Sequence, residues 1–251
     1  MKARLDQLLI DRNLAQSLTE AQAMIGAGEV YVDDRTADKP GRLYSPTAVL
    51  RLKEKCPYVS RGGLKLAKGL SHFHIDVQDK VCIDIGASTG GFTDCLLQHN
   101  AREVYAVDVA YGQLAWKIRQ DPRVVVVERF NAKNISAKDI HNSDLHLAVM
   151  DVSFISITTL LPPLVNLFTS AVAILALIKP QFELPKNLVG EGGVVTDPAL
   201  HQQSIDKIIQ FAEQMDLKCL GVINSPLLGP KGNREFLISL SSQNSSSLAM
   251  P

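Results

Sequence analysis

The residues able to do chemistry fall into three groups. The first is Asp84-Ile85-Gly86-Ala87-Ser88-Thr89-Gly90-Gly91, which follows an apolar run of strand length and leads into a helical pattern. Glycines at the carboxyl end of a strand let the backbone come close to a ligand. The spacing departs from G-x-G-x-x-G, so the dinucleotide fingerprint fits poorly. Asp108 closes the next apolar run, about 20 residues further on. A carboxylate there can accept hydrogen bonds from both ribose hydroxyls of an adenosine. The loop and the acid suit S-adenosylmethionine (SAM) as well as a nicotinamide dinucleotide. The second group is basic. Residues 35–70 hold nine Lys and Arg against Asp38 and Glu54, a net +7. A run of that density can contact phosphates or serve as a solvated linker. The third group is negative evidence. His72 and His74 form an H-x-H with nothing nearby to complete a ligand set, and Cys56, Cys82, Cys95 and Cys219 show no C-x-x-C spacing. No metal is expected, and the thiols read as reduced.

Two modules must position these groups. In the first, Leu5, Leu8 and Leu9 share one helical face and Asn13 can end that helix. Ser17-Leu18-Thr19-Glu20 is a capping-box pattern for a second helix, with Ala21, Met24 and Ile25 as its apolar face and Gly26 and Gly28 as its stop. Val30-Tyr31-Val32 and Val49 to Leu52 alternate as short strands, with turns at Asp33-Asp34 and Pro40-Gly41. The module is α+β and too small to be an enzyme alone. Beyond it, apolar runs at 81–85, 104–107, 124–127, 145–150 and 173–178 read as strands, and so do 220–223 and 236–240. Helical patterns lie between, including Ile157 to Phe168. Asp197-Pro198 opens another, striped by Leu200, Ile205, Ile208, Ile209 and Ala212. This alternation predicts an α/β, doubly wound, parallel sheet. The expected boundaries are 1–57 for the small module with its basic linker, 58–241 for the large domain, and 242–251 for a polar tail.

The composition is that of a globular protein, with 251 residues, 46% hydrophobic and 21% charged. Disordered, collagen-like and disulfide-scaffold classes are excluded. A zero net charge excludes a uniformly basic nucleic-acid binder, yet it hides a polarised chain: residues 1–34 carry −3 and residues 35–70 carry +7. The start, Met1-Lys2-Ala3-Arg4, is unlike a secretory signal, and the apolar stretch 171–178 is far shorter than the roughly 20 residues that span a bilayer. A cytoplasmic protein without membrane contact is expected. The oligomeric state stays open, a monomer being compatible with everything in the chain.

Several segments together resemble one family. They are Tyr58-Val59-Ser60-Arg61-Gly62-Gly63-Leu64-Lys65-Leu66, the loop from Asp84 to Phe92, Met150-Asp151-Val152-Ser153-Phe154-Ile155-Ser156, Lys179-Pro180-Gln181-Phe182-Glu183, Gly192-Gly193-Val194-Val195 and Gly232-Asn233-Arg234-Glu235-Phe236. In order and spacing the chain is similar to the TlyA family, ribosomal-RNA ribose 2′-O-methyltransferases also named as haemolysins. The likeness runs from the first module to about residue 240. It implies a class I, Rossmann-like, FtsJ-type SAM-dependent methyltransferase behind an S4 RNA-binding domain. It also implies a tetrad of Lys65, Asp151, Lys179 and Glu235 acting on ribosomal RNA, with cytidine of 16S or 23S as the target.

The chemistry agrees with those residue types. A ribose 2′-hydroxyl is a poor nucleophile until a base takes its proton. A lysine does so only in its neutral form, which a second lysine and burial favour and a carboxylate opposes. Lys179 is the expected base. Asp151 would hold it beside the methyl group, and Lys65 and Glu235 would orient the ribose. The resemblance assigns the cofactor to Asp84, Gly86, Ala87, Ser88, Thr89, Gly90, Gly91, Phe92, Asp108 and Asp151. Asn131 is either an adenine contact or an ordinary loop cap. Arg61 is either a phosphate contact or a salt bridge at a helix start. S4 modules commonly place Arg after the serine that starts their second helix, whereas here Leu18 follows Ser17 and Glu20 and Glu29 are acidic. RNA contact therefore rests on Lys2, Arg4 and Arg12 and on Arg51, Lys53, Lys55 and Arg61. The alternatives are a small-molecule SAM-dependent methyltransferase and a membrane-active haemolysin.

Overall fold

Leu5, Leu8 and Leu9 share the buried face of helix α1 (Leu5–Asp11), which follows the two-residue strand β1 (Ala3–Arg4). Asn13 takes a left-handed φ of 56° just beyond it, and the chain turns there. In this computed structural model, residues 2–53, 56–141 and 144–242 are described. The chain divides into two units, Met1–Lys55 and Cys56–Pro251. Helix α2 (Leu18–Gly26) starts on Ser17, whose Oγ accepts the Glu20 N–H at 3.1 Å. The Glu20 carboxylate answers the Gln16 N–H at 2.7 Å, one residue earlier than in a reciprocal box. Strands β2 (Val30–Val32), β3 (Arg35–Thr36), β4 (Leu43–Tyr44) and β5 (Leu50–Leu52) complete the first unit. They form a three-stranded sheet in the order β3-β2-β5 and a β1-β4 pair. Asp33 and Asp34 both take positive φ in the β2–β3 turn, the backbone a two-residue hairpin needs. Leu5, Leu9, Ala21, Ile25, Val30 and Val32 form this unit's own core.

The second unit alternates α3 (Gly62–His72), β6 (Val81–Ile85), α4 (Gly91–Gln98), β7 (Glu103–Val107), α5 (Trp116–Arg119), β8 (Val124–Val127), β9 (Leu145–Met150), α6 (Leu161–Val165), β10 (Ala173–Ile178), α7 (Pro180–Glu183), α8 (Pro198–Glu213), β11 (Leu217–Asn224) and β12 (Phe236–Ser242). The sheet order is β11-β12-β10-β9-β6-β7-β8. Strands β6 to β10 pair in parallel. Alternate residues of each strand enter two different cores: Ile174, Ala176 and Ile178 of β10 one, Leu175 and Leu177 the other. Both faces of the sheet are therefore covered, which is why its strands read as unbroken apolar runs.

Two expectations need correction. The sheet is not wholly parallel: β12 runs antiparallel to both β10 and β11. No α-helix separates β11 from β12, so the chain returns as a hairpin rather than crossing over. The stretch 157–168 is not one helix either. It is a 3₁₀ turn at Ile157–Thr159 followed by the short α6. Pro162 and Pro163 lie in the first turn of α6, where their missing N–H groups are tolerated, and they cannot continue a longer helix from upstream. Helix α8 starts as expected, with Asp197 Oδ1 accepting the Ala199 N–H at 2.8 Å. Residues 243–251, most of the expected polar tail, lie outside the described residues. Among the described residues no helix is long and apolar enough to cross a membrane, and no group of three or more His, Cys, Asp or Glu could hold a metal. All four cysteines are free.

Candidate active site

The carboxyl ends of the parallel strands meet at one edge of the sheet. Gly86 follows β6, Asp108 follows β7, Asp151 follows β9 and Lys179 follows β10. The antiparallel strand adds the fifth position. Ile178 pairs with Phe236, so Glu235 enters β12 beside the point where Lys179 leaves β10. Lys65, in the second turn of α3, reaches across to Glu235 Oε2 at 2.6 Å. Lys179 Nζ lies 2.6 Å from Asp151 Oδ1 and donates to Ser153 Oγ at 3.0 Å.

These four residues line one cavity of about 510 Å³, together with Arg61, Gly86, Ala87, Ser88, Thr89, Gly91 and Phe92. The two pairs differ in wetness. The Glu235 side chain is fully buried and that of Lys65 is 11% exposed, whereas that of Asp151 is 21% exposed. Glu235 Oε1 is buried without a hydrogen-bond partner among the described residues. A Cβ on Gly229 would lie 2.1 Å from that oxygen, so only glycine lets this backbone press so close. An ion pair this dry needs tight geometry to offset the loss of water around both charges.

A second cavity of about 320 Å³ shares Gly86, Ser88, Asp151 and Ser153 with the first. Its wall is largely apolar, including Val107, Phe130, Val152 and Leu160, and Asp108 and Asn131 line it. Asp108 is held rigidly, with Oδ2 accepting the Ser88 N–H and Oδ1 the Ala110 N–H, each at 2.7 Å. Asn131 accepts the Lys133 N–H at 3.1 Å and so caps a 3₁₀ turn at Ala132–Asn134 while it lines the cavity. Gly86 takes φ +83°, and a Cβ there would meet the Asp151 carbonyl oxygen at 2.7 Å. A side chain at that position would collide with the Asp151 backbone and the Val152 side chain. An apolar slot with a fixed carboxylate and a bare backbone turn has the chemistry to fit SAM.

Asp84 and Gly90 line neither cavity. Asp84 lies fully buried under the loop, where Oδ2 accepts the Thr93 hydroxyl at 2.7 Å and Oδ1 has no hydrogen-bond partner among the described residues. Burial pushes its carboxyl up to about 7. Gly90 caps the N-terminus of α4.

The basic residues behave unevenly. Arg4 donates to both oxygens of buried Asp6, at 3.0 and 2.6 Å. Those hydrogen bonds hold the Asp6 carboxyl down at about 2. Arg12 donates to the Ala48 carbonyl at 2.7 Å and to that of Pro46, bracing its own unit. Arg51 lies 4.7 Å over the Tyr31 ring and 3.5 Å from Asp34. Lys2, Lys53 and Arg61 are exposed, and Lys55 lies outside the described residues. Reasoning from sequence missed Ser153 and Gly229 as parts of the site, and Thr93 as the partner of Asp84 beneath it. Ser153 stood inside a recognised segment, while Gly229 and Thr93 carry no local signal.

A model of FtsJ-like methyltransferases matches residues 58–242, and a model of the S4 domain matches residues 3–50. The chain is 44% identical over 250 residues to the 16S/23S rRNA (cytidine-2′-O)-methyltransferase TlyA of Mycobacterium tuberculosis, covering 99% of this chain and 93% of that protein. It is 46% identical over 240 residues to YqxC of Bacillus subtilis, named as a candidate rRNA methyltransferase, covering 95% and 85%. A solved structure described as a candidate hemolysin of Streptococcus thermophilus is 40% identical, with a TM-score of 0.75, over 97% of this chain and 90% of that one. The chain belongs to the TlyA family, SAM-dependent methyltransferases in which an S4 domain precedes an FtsJ-like catalytic domain.

Proposed function

We propose that the chain methylates ribose 2′-oxygens of ribosomal RNA, with cytidine in 16S or 23S RNA as its target, and that Lys179 takes the hydroxyl proton. One observation carries the reading. Lys65, Asp151, Lys179 and Glu235 line a single cavity that shares its floor with the slot suited to SAM. The M. tuberculosis relative's name supplies the nucleotide and the subunits, and the S4 domain supports an RNA substrate. Bound SAM would supply an electrophilic methyl group.

The protein's own residues do the rest. In its neutral form Lys179 Nζ accepts the 2′-hydroxyl proton. Asp151 and Ser153 hold that nitrogen at 2.6 and 3.0 Å, so the amine does not wander. The Lys65–Glu235 pair lines the same cavity with a cation and a buried carboxylate, which orient the ribose. Arg61 at the cavity rim, with Arg51, Lys53 and Lys55, takes phosphates, and Lys2 adds to them. Arg4 and Arg12 act by bracing the S4 unit. The ribosomal subunit is the partner and the cytoplasm the place of action. One copy of the chain supplies all four residues, so a monomer suffices.

Labelled SAM incubated with total RNA and, separately, with a metabolite extract tests the substrate class. Label is expected in ribosomal RNA, and label entering only the extract would sink the reading. Lys179→Ala should abolish transfer while SAM binding survives, and near-normal turnover by that variant would refute the base assignment.

A further inference from the structure

We infer that Glu183 is a positioning residue for methyl transfer, clamping the two loops that carry Asp151 and Lys179. The inference rests on the reading that Lys179 takes the proton. Glu183 ends the single-turn helix α7, which starts directly after Lys179. Its side chain is 1% exposed and points away from the substrate cavity into the loop that follows Asp151. There Oε1 accepts the Ile157 N–H at 2.8 Å, and Oε2 accepts the Ser156 hydroxyl. The two loops thus meet in three successive steps. Lys179 joins Asp151 and Ser153, Phe182 packs on Phe154 with ring centroids 5.0 Å apart, and Glu183 closes the far end.

The middle of this zipper holds strain. Phe154 has φ +65° and is 91% exposed. A bulky residue in the left-handed region persists only where its surroundings over-determine it. Glu183 supplies that constraint two and three residues downstream. A second cation secures the clamp from behind, since Lys207 of α8 donates to the Glu183 carbonyl at 2.6 Å and lies 3.6 Å from Oε2. A buried carboxylate with this set of partners keeps both loops in one register. Loosening it would let the Lys179 amine drift from its place, and misplacement of about 1 Å costs on the order of 10²-fold in rate.

The test is steady-state methyl transfer to ribosomal RNA by Glu183→Ala, Glu183→Gln and Lys179→Ala, each assayed well below its melting midpoint. Glu183→Ala should lose about 10²-fold in kcat with its KM for SAM within about twofold of wild type. Glu183→Gln should stay within about fivefold of wild-type kcat, because its amide oxygen still takes the Ile157 N–H. Wild-type kcat in Glu183→Ala, a loss carried by KM, or equal losses in both Glu183 variants would overturn the inference. Should Glu183→Ala not fold, Ser156→Ala reads the same tie: kcat lowered about fivefold supports the clamp, and unchanged kcat overturns it. Full turnover in Lys179→Ala would instead fail the underlying reading of the reaction.

Discussion

The two lysine–carboxylate pairs have the same 2.6 Å separation and different surroundings. Lys65 and Glu235 come from α3 and the start of β12, 170 positions apart, and Glu235 is sealed beneath Gly229. Lys179 and Asp151 leave neighbouring parallel strands, Lys179 also donates to Ser153, and a fifth of the Asp151 side chain is open. The pair with the fully buried carboxylate has little freedom, which suits a fixed anchor. The wetter pair borders both cavities through Asp151, which suits groups that meet substrate and pass a proton. Identical charges thus take different work from their degree of burial and from what stands beside them.

The sharpest way to break this contrast is to neutralise each carboxylate in turn. Asp151→Asn should lower kcat for RNA methylation by about 10²-fold or more, the scale of a lost acid–base partner. Glu235→Gln should lose about tenfold less, since it keeps shape next to an anchor rather than beside the moving proton. Equal losses would erase the distinction. The second test reads stability. Lys65→Met leaves Glu235 buried and unpaired, and should cost about 3 kcal/mol in urea unfolding at neutral pH. A cost below about 1 kcal/mol would make the pair no better than a surface bridge.

The narrowest test concerns a third carboxylate that has no lysine at all, because it reads only a change of stability with pH. Asp84 is buried, and its carboxyl is pushed up to about 7, against an unfolded value near ~3.9. Between those values the native state holds the proton and the unfolded chain releases it. Asp84 therefore lowers stability as pH climbs from about 4 to about 7, with no further loss above that. Asp84→Asn removes this dependence. Its melting midpoint relative to wild type, measured without SAM, should gain steadily from pH 5 to pH 7 and then level off. Parallel curves would show that Asp84 is already charged in the fold.

Much of the architecture was legible in the chain. The apolar runs at 81–85, 104–107, 124–127, 145–150 and 173–178 are strands, because burial on both faces leaves a continuous apolar signal. Ser17 and Asp197 start their helices, because a cap is a local event within three residues. The reading failed where the deciding force was not local. Apolar periodicity over 157–168 hid what Pro162 and Pro163 do to a helix. Nothing in the sequence marked Arg4 and Arg12 as holding Asp6 and the 46–48 turn, partners that only the folded unit brings near. Glu183 looked like the tail of a motif until the fold laid Ser156 and Ile157 against it.

By itself the sequence determined the elements, the split between a small module and an α/β domain, and, through its ordered motifs, the family. Those properties live in short windows, where hydrophobic period, caps and turn residues act within a few positions. Tertiary structure decided which charges meet. Strand order and direction are set by packing between distant segments, and the one antiparallel strand is what carries Glu235 to the edge where Lys179 and Asp151 emerge. A parallel β12 would present its opposite end there, and Lys65 would lose its partner.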